Sequence, residues 1–310
     1  MIDSLDKIEY PCPICGSAGY KIIYVDTLGN SLPSFDYTYG KNRNQTYRIV
    51  RCSICSHCYC SPRPRDLHSN YIDNYIDSSY LKLRSQRIAT ARRVIQTISK
   101  LKKGGKLLDI GCATGDFMII AKETYQVDGL ELATWSAKIA EQKGLVVHKC
   151  QIKELPYMNS YDIVTLWGVI EHFEFPASEI FNICNLLKDD GIVCIWTGDI
   201  DSITSKLLRK RWWYFLGQHL QYFSRKSMCQ LFENNGFRLE YMGIYPYVMT
   251  CDSFYNSMKR YSSLDKLINT SLFRKLMFNL FKDNEFTLKI PGETFAIFKK
   301  QKDLKKINLI

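Results

Sequence analysis

"LLDIGCATGDF", residues 107–117, runs from an apolar strand-like segment through a glycine-bearing loop into what reads as a new helix. Leu107, Leu108 and Ile110 supply the apolar run, and Asp109-x-Gly111-x-x-x-Gly115 follows. Gly111 lets backbone approach a ligand closely, while Gly115 permits the tight turn into a helix whose N-terminal amides favour a carboxylate. Glu131 stands 20 residues beyond Gly111, at the end of the next strand-like run, YQVDGLE. An acidic side chain there can accept hydrogen bonds from both hydroxyls of a ribose. A dinucleotide fingerprint would need G-x-G-x-x-G, which Ala113 and Asp116 do not provide. Loop and carboxylate together point to an adenosine ligand without a pyrophosphate.

Outward from this stretch, strands and helices alternate. A helix is expected over 116–124 and another over 134–143. GLVVHKC (144–150), YDIVTLWGVI (161–170) and GIVCIWTG (191–198) read as further strands, with a helix at 177–188 before the last. FRLEYMGIY (237–245) and ETFAIFKK (293–300) add two more strands, and 251–285 reads as a helical insertion between them. Such alternation predicts an α/β fold with a Rossmann-like, doubly wound parallel sheet. Residues 104–310 would form this domain, 65–103 linking helices, and 1–64 a small separate unit.

That unit carries Cys12-Pro-Ile-Cys15-Gly16 and Cys52-Ser-Ile-Cys55. Each C-x-x-C knuckle sets two thiolates on one tight turn, and two facing knuckles complete a tetrahedral four-sulfur site suited to structural Zn²⁺, with no open position for chemistry. Cys12, Cys15, Cys52 and Cys55 are the expected ligands. Cys58 and Cys60 alternate with His57 and Tyr59 as on a strand and read as non-ligands; Cys58 in place of Cys52 or Cys55, or four reduced thiols without metal, are the alternatives.

Composition narrows the class. Hydrophobic residues at 46% and charged ones at 24% exclude a disordered chain, and the net charge of +11 favours an acidic partner: a phosphate-bearing small molecule, nucleic acid or an anionic membrane surface. No basic-then-apolar leader and no run near the roughly 18 apolar residues of a membrane span are evident. A soluble, cytoplasmic protein is expected, its scattered cysteines reduced.

The glycine loop and Glu131 give the chain a resemblance to the class I S-adenosylmethionine-dependent methyltransferases, over residues 104–245 and the final strand. The resemblance implies a seven-stranded sheet with the last strand antiparallel, and S-adenosylmethionine as cofactor. It implies that Asp109, Gly111 and Gly115 surround the methionine part, with Cys112 and Phe117 beside them. Glu131 and Leu132 would then meet the ribose, Gln151 and Ile152 the adenine, and Trp167, Gly168 and Val169 the sulfonium. The flanks, C-x-x-C-G to P-R-P before the core and RRWWYFLGQHLQYFSRKSMCQLFENNGF (211–237) after it, resemble bacterial methyltransferases of glycan and surface-polysaccharide biosynthesis. These imply a sugar nucleotide or glycan precursor as small-molecule substrate, O-methylated rather than C-methylated, because the further C-terminal domain of the C-methylating members is missing.

Methyl transfer asks the protein to position the acceptor and remove one proton, for which histidine is suited by its near-neutral pKa. His172 and His219 are the candidates, with Tyr222 third. SKLLRKRWWYF (205–215) either grips a diphosphate, rests on an anionic membrane, or is a core aromatic cluster with solvated charges. An rRNA or tRNA methyltransferase is the competing enzyme, although Trp167-Gly168-Val169-Ile170 lacks the N-P-P-aromatic pattern of base-amine methylation. A non-catalytic cofactor-binding or partner-binding module is the third reading.

Overall fold

A computed structural model describes residues 6–33, 44–65, 67, 78–249, 286–289 and 291–302. The expected insertion at 251–285 and the linking residues 69–77 lie outside the described residues.

Five consecutive parallel strands form the frame: β6 (Lys106–Ile110), β7 (Gln126–Leu130), β8 (Val146–His148), β9 (Tyr161–Trp167) and β10 (Leu187–Gly198). With β12 (Phe237–Ile244) and β15 (Glu293–Lys300) they make one seven-stranded sheet in the order β12-β15-β10-β9-β6-β7-β8. β15 runs antiparallel to both β10 and β12, as the resemblance implied.

The central strands are apolar on both faces because both are covered. One face stacks Leu107, Ile163, Cys194 and Ile297 against Ala91, Val94, Ile95 and Ile98 of α2 (Arg84–Leu101). The other stacks Leu108, Val164, Val193 and Phe298 against Ile180 and Ile183 of α5 (Pro176–Leu186) and Met228, Leu231 and Phe232 of α7 (Arg225–Asn234). α3 (Asp116–Ala121) and α4 (Thr134–Gln142) complete the crossovers. α3 ends three residues before the expected boundary, since Thr124 N and Tyr125 N both bond back to Ala121 O and the chain turns into β7. β10 begins four residues early: Leu187 already pairs with Tyr161, and Lys188–Gly191 bulge out with Asp190 at φ +64°.

The cysteine-bearing segment folds as β2 (Tyr20–Tyr24), β3 (Ile49–Cys52) and β4 (Cys58–Cys60), all antiparallel. β1 (Lys7–Ile8) and β5 (Arg63–Pro64) form a separate small pair. The sheet takes its fourth strand, β11 (Gln221–Tyr222), from the segment between β10 and β12 of the seven-stranded sheet. Leu28, Tyr47 and Ile49 share a core with Trp212, Tyr214, Phe215 and Leu220. The described residues also include α1 (Ser78–Lys82), α6 (Ile203–Leu208) and the antiparallel pair of β13 (Tyr247–Met249) and β14 (Phe286–Leu288).

Candidate functional site

Strand register puts the sequence-selected residues on one edge. Ile110 lies level with Leu130 and Leu166, and Leu130 level with His148, so Gly111, Glu131 and Trp167 all emerge at the C-terminal ends of neighbouring parallel strands. Open α/β sheets bind ligands in this position.

Gly111, Ala113 and Gly115 all hold positive φ (+69°, +46° and +75°), folding the loop back on itself before α3. Gly111 N and Cys112 N both donate to Leu130 O, at 2.8 and 3.1 Å. Glu131 reaches across from the next strand: its carboxylate accepts from Ala113 N at 2.8 Å and from Ala133 N at 2.7 Å. One lone pair on each oxygen is thereby used, leaving each able to accept from a ribose hydroxyl. The Thr114 hydroxyl in the same loop is buried without a partner among the described residues. Donors, acceptors and backbone shape thus fit an adenosyl ligand. Asp109 is buried beneath, accepting from Thr165 Oγ1 at 2.6 Å, and burial pushes its carboxyl up to about 7.

Other expected cofactor neighbours divide. Phe117 stands at the loop with its ring 5.0 Å from that of Trp167. Leu132 is half-buried beside Glu131, and Gln151 is exposed at the end of the third strand. Ile152 instead packs into the core with Leu130 and Leu155. Cys112 turns its sulfur into a cluster with Met118, Ala140 and Leu145, leaving its backbone to the loop. Asp116, which sequence reasoning passed over, locks the loop's exit. Lys143 Nζ at 2.9 Å, Arg87 at 2.6 Å and Arg84 at 3.3 Å converge on its carboxylate, and Lys143 also donates to Thr114 O at 2.6 Å.

At the end of β9, Gly168 (φ +70°) donates its amide to Trp196 O, and the Val169 side chain lies against Gly111, where a Cβ would come within 2.5 Å of Val169 Cγ2. A Cβ on Gly168 would lie 3.6 Å from Oε1 of Glu171. Glu171 is fully buried; its carboxylate accepts from Tyr214 Oη and from Thr197 Oγ1, and burial raises it to about 7. His172 and His219 meet edge-to-face with ring centroids 4.8 Å apart. His172 Nδ1 donates to Gln218 O at 3.0 Å and His219 Nδ1 to Tyr214 O at 2.7 Å. Two of the three expected catalytic residues therefore come together, joined by Glu171. Tyr222 touches the pair from one side, its ring centroid 6.5 Å from that of His219, but it lies on β11 within the cysteine-bearing sheet, 1% exposed, its hydroxyl turned to Leu216 O, and burial lifts its phenol well above the usual range. A phenol so placed is shielded from solvent.

The four knuckle sulfurs all lie within 4.8 Å of one another, with Cys12–Cys55 at 3.4 Å and Cys15–Cys52 at 3.5 Å. A tetrahedral ion with bonds of about 2.3 Å needs edges of about 3.8 Å, so the thiols stand as metal ligands would. Cys58 and Cys60 are buried elsewhere, and every described cysteine is a free thiol.

The segment 205–215 divides by face. Trp212, Tyr214 and Phe215 are core, whereas Lys206, Arg209, Lys210 and Arg211 are exposed. Among the described residues no helix is long and apolar enough to cross a membrane.

Residues 83–241, just over half of the chain, match the family described as a methyltransferase domain. Among curated relatives, a ubiquinone biosynthesis O-methyltransferase of Haemophilus ducreyi is 31% identical over 33% of this chain and 49% of its own length. A probable tRNA methyltransferase 9B of Bos taurus is 30% identical over 26% of this chain and 18% of its own. The chain spans about half the length of the first of these relatives. Among solved structures, a SAM-dependent methyltransferase from Archaeoglobus fulgidus superposes with a TM-score of 0.50 at 21% identity, covering 72% of this chain and all of that one. A complex of the Haloferax volcanii Trm112 methyltransferase activator with a methyltransferase gives 0.51 at 12% identity, over 73% and 94%.

Proposed function

This chain belongs to the class I S-adenosylmethionine-dependent methyltransferases, and from that membership we propose that it methylates a hydroxyl of a sugar nucleotide or glycan precursor. The observation that carries the cofactor assignment is Glu131, bent over the glycine loop with acceptor capacity left on both oxygens. Glu131 holds the ribose, Asp109 and the glycine loop the methionine part, and Gly168–Val169 flank the methyl-bearing sulfur. The bound cofactor supplies a methyl group already activated by the sulfonium. What remains for the chain is to hold the acceptor oxygen in line and take up its proton. The His172–His219 pair beside Gly168 is proposed to meet that oxygen.

Oxygen as the accepting atom is supported by the relatives named O-methyltransferases. A sugar is supported by the half-buried aromatic rings of Trp196, Trp213 and Tyr247 on the acceptor side, where Trp196 and Trp213 are fixed by bonds of 2.9 Å to Glu293. The knuckle thiolates are proposed to hold a structural Zn²⁺. The exposed Ile203 and Leu207 on α6, flanked by Lys206, Arg209 and Lys210, are proposed to touch an anionic membrane surface where such precursors are handled.

The test combines calorimetry with S-adenosylhomocysteine and transfer of a labelled methyl to nucleotide sugars, phenols and RNA. Glu131→Ala should weaken S-adenosylhomocysteine by at least about tenfold, roughly 1.4 kcal/mol. Label in RNA rather than in any sugar would replace the acceptor reading by the RNA one, and binding without any methylated product would favour a non-catalytic module.

A further inference from the structure

We propose that Glu171, His172 and His219 form a second metal site, one that takes a divalent first-row cation beside Gly168 at the C-terminal end of β9. A ring nitrogen of each histidine and a carboxylate oxygen of Glu171 lie within 4.8 Å of one another. Two imidazoles and one carboxylate are a donor set suited to Zn²⁺, Mn²⁺ or Fe²⁺, and three protein ligands leave coordination positions open.

Each ligand is already oriented from behind. A carbonyl oxygen only accepts, so Gln218 O and Tyr214 O fix the proton of each imidazole on Nδ1 and place the ring's lone pair on Nε2. Metal-binding histidines are held in this way, with the other nitrogen donating to a carbonyl or carboxylate. Glu171 is likewise aimed by the hydroxyls of Tyr214 and Thr197, which are 3.2 Å from each other. Gln218, next in chain to His219, has a buried amide oxygen with no partner among the described residues, and water bound to a cation would be a donor for it. The three ligands are also tied by backbone: His172 N bonds Val169 O, and Leu220 N bonds Glu171 O at 2.8 Å, so the two histidine-bearing segments cannot drift apart independently.

This site differs in kind from the knuckle cluster. Four thiolates enclose an ion completely, whereas Glu171, His172 and His219 would present a cation to whatever lies beside Gly168. An acceptor hydroxyl on an open position would be acidified by the cation and give its proton to solvent water as its oxygen takes the methyl group, leaving the imidazoles to serve as ligands. Only this use of the cation rests on the methyltransferase reading; its binding does not.

Mn²⁺ separates the two sites, since it favours nitrogen and oxygen donors over thiolates. Zinc-loaded protein is titrated with Mn²⁺ and the free ion is followed by electron paramagnetic resonance, without cofactor or acceptor. One Mn²⁺ per chain is expected, weakened at least tenfold in Glu171→Gln and His219→Ala. His172→Ala, at a half-exposed position, is the companion variant should the buried changes unfold the chain, as checked by melting temperature. In parallel, protein saturated with zinc and then desalted should carry two zinc ions per chain, and His172→Ala one. No bound Mn²⁺ together with a single zinc ion, or Mn²⁺ binding unchanged in the histidine variants, would overturn the site. Methyl transfer that proceeds undiminished in the Mn²⁺-free, one-zinc protein would leave the methyltransferase reading intact and remove the cation from it.

Discussion

Asp109 carries the pH dependence at the scale of the single residue. Burial raises its folded-state pKa to about 7, from 3.8, with the Thr165 hydrogen bond working against the shift and Glu131 adding to it. A raised carboxyl binds its proton more tightly folded than unfolded, so its contribution to stability is full below about pH 4 and is lost as pH rises toward 7. Asp109→Asn should flatten the fall in melting temperature between pH 5 and 8. Ligand binding has the opposite sign: a cationic methionine portion prefers the ionised carboxylate, so affinity for S-adenosylmethionine should climb through pH 7 in the wild type and lose that slope in Asp109→Asn, as calorimetry across pH would show. Asp109, Gly111 and Glu131 were legible because spacing along adjacent strands translates directly into proximity at their ends. Glu171 was not, because its place is defined by hydroxyls 26 and 43 residues away and by a histidine on a different segment. The E-H dipeptide after an apolar strand was its only local signal.

Among the elements, α2 is tied to the loop through Arg84 and Arg87 on Asp116. Although burial pushes the Asp116 carboxyl up, Lys143 and Arg87 hold it below its usual range, so its stabilisation persists above about pH 4 and disappears under acid. Arg87→Met leaves Arg84 and Lys143 on Asp116, and should therefore cost about 1–2 kcal/mol in a urea melt rather than unfold the domain. α6 makes the contrary case. Ile203 and Leu207 are 70% and 77% exposed, so Ile203→Ser with Leu207→Ser should leave the melting temperature nearly unchanged. The same pair should lower sedimentation with phosphatidylglycerol vesicles while leaving the weaker sedimentation with phosphatidylcholine alone; equal sedimentation of wild type and variant would remove the membrane contact. Strands were read well where they are long and apolar on both faces. The ends of α3 and β10 were misread because a turn at 121–125 and a bulge at 188–191 are settled by tertiary pairing. A two-residue strand such as β11 leaves no periodicity to read.

β11 nevertheless ties the four-stranded cysteine-bearing sheet to the segment that carries His219. Cys60 N donates to Leu220 O at 2.9 Å, and Gln221 and Tyr222 pair with Tyr59 and Cys58. His57, wholly buried, donates from Nε2 to Gln221 Oε1 at 3.0 Å, and Gln221 Nε2 passes the connection to Phe173 O at 2.9 Å. The strands that bear the knuckles thus hold the residues following both His172 and His219. Gly111 and Glu131 stand at strand ends that these bonds do not reach. Weakening the ion between the knuckles should therefore disable the acceptor side and spare the cofactor side. Cys15→Ser is the suitable variant, because a chelator would also strip an ion from Glu171, His172 and His219. Amide hydrogen exchange at Leu220 and Tyr222 should rise in it, while exchange at Gly111 and Glu131 stays as in the wild type. Methyl transfer should fall at least about tenfold, near 1.4 kcal/mol in the barrier, with S-adenosylhomocysteine affinity held within about twofold. Parallel loss of both affinity and transfer would mean that the knuckles support the whole chain rather than one wall of its cleft. Retention of both would mean that β11 keeps its place through the Trp212, Tyr214 and Phe215 core alone.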